Sequence, residues 1–143
     1  MSVRDSIPVS TIMTKNIISL NATDGLEKAE HLFKKHRIRH IPVVKGEKII
    51  GMLSLTDLLR ISFADGAYRN EDDDDGDTIV YNMFTIPQLM ARSLERVSPH
   101  TTIKEVAEIL ASKEYHALPV VEDEKLVGIV TTTDLIKYLL DQY

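Results

Sequence analysis

One seven-residue phrase occurs twice in this sequence, and that duplication constrains the fold more than any other feature. Gly51-Met-Leu-Ser-Leu-Thr-Asp57 returns 77 positions later as Gly128-Ile-Val-Thr-Thr-Thr-Asp134. At the same offset and without gaps, Met13 aligns with Met90 and Pro42-Val43-Val44 with Pro119-Val120-Val121. Glu47-Lys48 aligns with Glu124-Lys125, and Thr56-Asp57-Leu58 with Thr133-Asp134-Leu135. Conservative pairs fill the space between them: Val9 with Ile86, Ile12 with Leu89, Leu20 with Val97, and Leu26 with Ile103. The chain is one supersecondary unit written twice, over residues 8–61 and 85–139, with an insertion at 62–84.

Within each copy the hydrophobic period changes in a readable order. Ile17-Ile18-Ser19-Leu20 is a β-branched run that predicts a short strand, and Leu94 to Val97 is its weaker counterpart. Leu26, Ala29, Leu32 and Phe33 then fall at helical spacing, as do Ile103, Val106, Ala107, Ile109 and Leu110. Asp24 with Glu27, and Thr102 with Glu105, resemble capping boxes at the two helix starts. Two apolar strands follow, Ile41 to Val44 and Ile49 to Leu53, around a tight turn containing Gly46. Their counterparts are Leu118 to Val121 and Leu126 to Val130, around Glu122-Asp123. A final helix begins near Thr56 and again near Thr133. The order is β-α-β-β-α, twice, which is an α+β fold class. A unit of this size has a sheet face its own helices cannot cover, so each copy needs the other. The groove between them is then the expected place for a ligand.

The insertion contains Glu71-Asp-Asp-Asp-Asp-Gly-Asp77. The formal charge is −5 and this run holds six acids, so the remaining residues sum to +1. That balance lacks the basic face of a nucleic-acid binder. The one basic cluster, Lys34 to His40, reads as the solvated end of a helix, where cations suit the dipole. The acidic run reads as a loop rather than a calcium site. With Gly76 in the sixth position of an EF-hand loop, the twelfth is Asn82, not the bidentate glutamate that geometry requires. The chain has no cysteine, which excludes thiol catalysis and thiolate zinc sites. No segment reaches the ~18 apolar residues of a membrane span, and Met1 to Pro8 has no signal-like run. The expectation is a cytoplasmic protein that contacts neither membrane nor nucleic acid.

What can the repeated phrase do? A glycine in a strand lets a ligand or another backbone approach closely. The strand runs into a helix N-terminus, whose free N–H groups favour an anion. Ser54 with Thr56, and Thr131 with Thr133, add hydroxyls in alternating positions, on one side of an extended chain. Asp57 and Asp134 can accept hydrogen bonds from a vicinal diol. Hydroxyls for phosphate and an acid for ribose divide the work of holding a nucleotide. Each residue also has a plain structural reading: Thr-Asp before Leu is an ordinary helix cap, worth about 1 kcal/mol, and a strand glycine can mark a bulge. The recurrence of the whole phrase favours binding over caps alone.

Met13-Thr14, Arg39-His40-Ile41-Pro42-Val43-Val44 and Gly51 to Asp57 resemble a CBS (cystathionine-β-synthase) motif. Met90, His116-Ala-Leu-Pro-Val-Val121 and Gly128 to Asp134 resemble its second copy. Together they are similar to a CBS pair, or Bateman module, over nearly the whole chain. The resemblance implies two pseudo-twofold-related repeats with small sheets packed together and flanking helices. It also implies two clefts for AMP, ADP, ATP or S-adenosylmethionine, and assembly of two modules into a disc-shaped homodimer. On that resemblance Asp134 holds a ribose and Thr131, Thr133 and His116 the phosphates, with adenine against Ile17, Ile18, Ile38 and Ile129. The other cleft takes its ribose on Asp57 and its phosphates on Ser54, Thr56 and Arg39, with Leu94, Glu95, Tyr115, Ala117 and Met52 around the base.

The two clefts are unequal. Arg39 is a permanent cation and His116 only a partial one near neutrality, which suits the Asp57 cleft to several phosphates. Glu95 departs from the apolar residue expected in the adenine wall of that cleft, so the Asp134 cleft is the better purine pocket. His31, His36 and His100 have no ligand spacing and read as surface residues. The sequence has no nucleophile beside a base, no metal cluster and no Walker lysine, so an enzyme is not expected. Two functions remain. One is a regulatory adenine-nucleotide sensor with no required cofactor, acting on an unknown effector protein. The other is a dimerisation module with degenerate clefts.

Overall fold

A computed structural model describes residues 3–66 and 82–143. The acidic run at 71–77 lies outside the described residues. The architecture is mixed α+β, with small sheets and helices. In chain order the elements are β1 (Leu20–Asn21), α1 (Leu26–His36), β2 (His40–Lys45), β3 (Lys48–Ser54) and α2 (Leu55–Gly66). They are followed by α3 (Ile86–Leu89), α4 (Ile103–Ser112), β4 (Ala117–Glu122), β5 (Lys125–Thr131) and α5 (Thr132–Leu140). Short 3-10 turns at Val3–Ser6 and Val9–Thr11 precede them.

The chain divides into two compact units, and their boundaries cut across the sequence repeat. One unit is residues 18–93; the other joins residues 1–17 to 94–143. In the first, β1 runs parallel to β2, and β2 and β3 form an antiparallel hairpin with a register shift between Val43 and Val44. In the second, β4 and β5 form the equivalent hairpin, with its shift between Val120 and Val121. The partner of β1 there has shrunk to one parallel bridge, Val97 to Val120. Val97 donates to Pro119 at 3.1 Å and accepts from Val121 at 2.8 Å.

The lead-in segment of each sequence copy packs with the strands of the other copy. Thr14 pairs with Ile129 through two hydrogen bonds of 2.8 and 3.0 Å, beside the second hairpin. Ala91 pairs with Met52 in the same way, at 2.9 and 3.0 Å, beside the first. The hydrophobic cores follow this exchange. Ile86 and Met90 are buried with Leu20, Leu26, Ala29, Phe33, Ile41, Val43, Leu53 and Leu58. Val9 is buried with Val97, Val106, Leu118, Val120 and Val130, with Ile12 and Met13 packed against them. Val9 and Ile86 are fully buried. Side chains of that size each contribute about 1.5–3 kcal/mol when removed from water, enough to hold the exchanged segments.

Helix patterning follows the sequence closely. α1 buries Leu26, Ala29 and Phe33 on one stripe, with Lys34, Lys35 and His36 in its last turn. Arg37 ends it in the left-handed conformation, at φ 52°. α4 has the expected cap: Glu105 N–H donates to Thr102 Oγ1 at 3.1 Å and Thr102 N–H to Glu105 Oε2 at 3.1 Å.

Two local expectations fail. The β-branched run at Ile17 to Leu20 is not a strand of that length, because parallel pairing reaches only Leu20 and Asn21. Asp24 does not cap α1. The N-cap is Gly25, and Asp24 instead accepts the Asn21 N–H at 2.8 Å and pairs with Lys28 at 3.2 Å. Its carboxyl is held below the usual value mainly by the Asn21 hydrogen bond, with Lys28 adding to the effect against a cost from burial.

Candidate functional site

The repeated phrase ends each hairpin and starts the following helix, and its polar residues form the same closed figure in both units. Ser54 is the last residue of β3 and precedes α2. Its hydroxyl accepts the Asp57 N–H at 3.1 Å, while its own N–H donates to Asp57 Oδ2 at 3.3 Å. Thr131 and Asp134 repeat the arrangement at 3.2 and 2.9 Å. Each is a capping box with aspartate in the third helical position, satisfying two backbone donors at once.

The caps therefore sit two residues earlier than Thr56 and Thr133. The chain also leaves the extended conformation after Ser54 and Thr131, so the paired hydroxyls do not share one side of a strand. Thr56 and Thr133 occupy the first helical turn, are exposed, and take no part in the cap.

A second tie fixes Arg39 and His116 beside these helix starts. Leu55 N–H donates to the Arg39 carbonyl at 2.8 Å, and Thr132 N–H donates to the His116 carbonyl at 3.0 Å. Thr132 Oγ1 reaches the same His116 oxygen at 3.4 Å. Both Arg39 and His116 are exposed. Ala117 pairs with Thr131 across the second hairpin, which brings Ala117, His116, Thr131, Thr133 and Asp134 together. The first hairpin pairs His40 with Ser54 and so gathers Arg39, Ser54, Thr56 and Asp57.

The apolar candidates divide by unit. Ile18 and Ile38 belong to residues 18–93, both half-buried, with Ile38 packed against that core. Ile17, Leu94, Glu95 and Tyr115 belong to the other unit, all half-buried, with Tyr115 packed against its core. Met52 and Ile129 are nearly buried and are held by the backbone pairs to Ala91 and Thr14.

The carboxylates differ in one respect. In each, Oδ2 serves the cap. Asp57 Oδ1 faces the Arg60 guanidinium at 3.9 Å, whereas Asp134 Oδ1 has no partner among the described residues. Arg60 was not foreseen; its signal in the sequence is the i, i+3 spacing from Asp57 on one helix.

The glycines have a different neighbour from a ligand. A Cβ on Gly51 would lie 2.3 Å from Met90 Sδ and 3.0 Å from the Ala91 oxygen. On Gly128 it would lie 2.6 Å from Met13 Sδ and 3.2 Å from the Thr14 oxygen. Each glycine is the seat of the exchanged segment's methionine. Among the described residues no group of three or more His, Cys, Asp or Glu could hold a metal ion. No helix among them is long and apolar enough to cross a membrane.

Comparison with known proteins identifies the family. The CBS domain family model matches residues 9–64 and 86–141, so the chain belongs to the CBS domain family as a tandem pair. It is 28% identical over 134 residues to the uncharacterized protein MJ1404 of Methanocaldococcus jannaschii, covering 93% of this chain but 32% of that protein. Among solved structures it is similar to AcuB from Vibrio cholerae, with 28% identity, a TM-score of 0.78, and coverage of 95% and 92% of the two chains. It also shares the fold of CBSX2 solved in complex with AMP, at 22% identity and a TM-score of 0.76, over 95% and 98% of the chains. A third is the CBS domain pair of MJ0100 in complex with 5′-methylthioadenosine and S-adenosyl-L-methionine, at 23% identity and a TM-score of 0.75, over 92% and 98%.

Proposed function

We propose that this protein is a regulatory module that binds an adenosine-containing ligand, AMP, ADP, ATP or S-adenosylmethionine, at its two repeated strand-to-helix corners. The observation that carries the reading is the duplicated capping box. In both units the same figure leaves an aspartate oxygen beyond the cap, an exposed threonine in the first helical turn, and an exposed basic residue whose backbone carbonyl is tied to the helix start. Ribose hydroxyls suit the carboxylates Asp57 and Asp134. Phosphates suit Ser54, Thr56 and Arg39 at one corner and Thr131, Thr133 and His116 at the other. Ile17, Ile18, Ile38, Ile129, Met52, Leu94, Glu95, Tyr115 and Ala117 are the candidates for base contact. The likeness to pairs solved with AMP and with adenosyl ligands supports the ligand class. The reading includes no catalytic step and no resident cofactor.

Assembly with a second copy is part of the proposal. Ile136, Leu139 and Leu140 share one face of α5 and are 52%, 55% and 64% exposed. Leu59, at the position equivalent to Ile136, is also exposed. Equivalent apolar positions on both repeats suit an isologous dimer, through which occupancy would reach an effector protein.

A second reading has an observation in its favour. Caps and methionine seats give Ser54, Asp57, Gly51 and their twins a structural reason without any ligand. On that reading the chain is a dimerisation module. Thermal midpoints measured with AMP, ATP and S-adenosylmethionine separate the two. A ligand at ~100 times its Kd adds about 2.7 kcal/mol of apparent stability, so the sensor reading predicts a clear rise with at least one. An unchanged midpoint with all three leaves the dimerisation module.

A further inference from the structure

The two copies of the phrase match residue for residue in their caps, yet they differ in what faces the outer carboxylate oxygen. In the first copy Arg60, three residues along α2, puts its guanidinium 3.9 Å from Asp57 Oδ1. The corresponding residue in the second copy is Lys137, on α5, and it makes no ion pair with Asp134 among the described residues. Arg60 is largely exposed, so nothing in the core holds it there. Its fork of donors reaches a carboxylate better than an ammonium does.

We propose that Arg60 is a specificity-determining residue that makes the two adenosine sites fill in sequence, the Asp134 site first. This inference rests on the nucleotide-binding reading above. A vicinal diol binds a carboxylate by donating to its free oxygens. At Asp134 one oxygen stands free of protein partners, while at Asp57 the diol competes for the outer oxygen with the Arg60 guanidinium, which faces it at 3.9 Å. Displacement costs what the pair contributes, and for an exposed pair that is at most a factor of about five in affinity. The pair is also screened by salt, so the inequality narrows as ionic strength rises.

The test uses calorimetric titration of the full chain with adenosine, which carries no phosphate, and with 2′,3′-dideoxyadenosine, which lacks the diol. Adenosine should bind wild-type protein in two classes, with the weaker abolished by Asp57→Asn, whose side-chain oxygen preserves the cap. Arg60→Met should tighten the weaker class up to about fivefold and leave dideoxyadenosine unaffected. In 1 M salt the two wild-type classes should converge. Equal wild-type sites for adenosine overturn the inference, as does loss of the tighter class in Asp57→Asn. Equal tightening of dideoxyadenosine also overturns it, because Arg60 would not be acting on the diol. If Arg60→Met weakens AMP but not adenosine, Arg60 is a phosphate ligand and the inference fails while the binding reading stands. If adenosine fails to bind while AMP, ATP or S-adenosylmethionine binds, the inference fails and the binding reading stands; if none of the four binds wild-type protein, the binding reading itself fails and takes this inference with it.

Discussion

Replacing Gly51 by alanine tests what the glycine of the repeated phrase is for. Gly51 is not in the left-handed region, so alanine brings no backbone strain, and any cost comes from contact alone. The new methyl group would lie 2.3 Å from Met90 Sδ, 2.8 Å from Met90 Cγ and 3.0 Å from the Ala91 oxygen. Met90 is 9% exposed and belongs to the core, and the Ala91 oxygen accepts from Met52 N–H at 3.0 Å. The methionine must leave its seat or the paired segment must lift. Forcing one extra carbon into a packed core costs about 1–3 kcal/mol, and three close contacts, one of them to backbone, put Gly51→Ala in the upper half of that range.

Gly128→Ala, with 2.6, 3.0 and 3.2 Å to the equivalent atoms, belongs in the lower half. Urea denaturation should show both midpoints falling, Gly51→Ala further, with unchanged slope. A double-mutant cycle sharpens the test. Met90→Ala empties the seat, so Gly51→Ala in that background should cost about 1 kcal/mol less than it does alone. Full stability in Gly51→Ala, or strict additivity with Met90→Ala, would refute the packing argument. A glycine kept only for ligand approach would instead lower nucleotide affinity without touching the midpoint.

Other consequences are independent of that site. Thr102→Ala removes the hydroxyl that accepts the Glu105 N–H in the α4 capping box and should cost about 1 kcal/mol in urea, against a few tenths for Ser112→Ala near the helix end. Asp24 has a lowered folded-state pKa, so its stabilising contribution is present above its unfolded value near 3.8 and is lost as pH falls through the folded value. Denaturation between pH 7 and pH 2 should therefore show a shallower acid loss for Asp24→Asn than for wild type. The second hairpin turns through Asp123 and Glu124 with both φ positive, at 51° and 66°, where the first uses Gly46 at 65°. Glu124→Gly should raise stability by about 0.5–1 kcal/mol, read as a higher urea midpoint. Leu139→Asp on the exposed face of α5 should halve the mass in sedimentation equilibrium if two copies meet there, while the far-ultraviolet circular dichroism of the folded chain stays as in wild type.

Much of the fold was legible because it is written in short-range terms and written twice. The hairpins, α1 and the α4 cap are set by neighbouring residues: alternation, helical spacing and a threonine three residues before a glutamate. The exchanged segments are a different kind of fact. Thr14 and Ala91 pair with residues more than a hundred positions and about forty positions away, respectively, and no local pattern encodes that partnership. Its one trace was the alignment of Met13 with Met90, which marks a shared role without naming the glycine beneath each sulfur.

The β-branched run at Ile17 misled for a related reason. Intrinsic propensity favours a strand there, but pairing is available only from Leu20 onward. At the candidate site, residue types were readable and geometry was not. Ser54 and Thr131, rather than the threonines beside the aspartates, are the caps, and Arg60 shares the helix of the aspartate it faces.

The central claim is that one repeated phrase builds two adenosine sites, each centred on its aspartate. Equilibrium dialysis with radiolabelled AMP at saturating concentration tests it most directly. Wild-type protein should bind two AMP per chain, Asp57→Asn and Asp134→Asn one each, and the double variant none, with all four folded. With ATP and S-adenosylmethionine run alongside, a wild-type chain that binds none of the three, or single variants that still bind two, would contradict it.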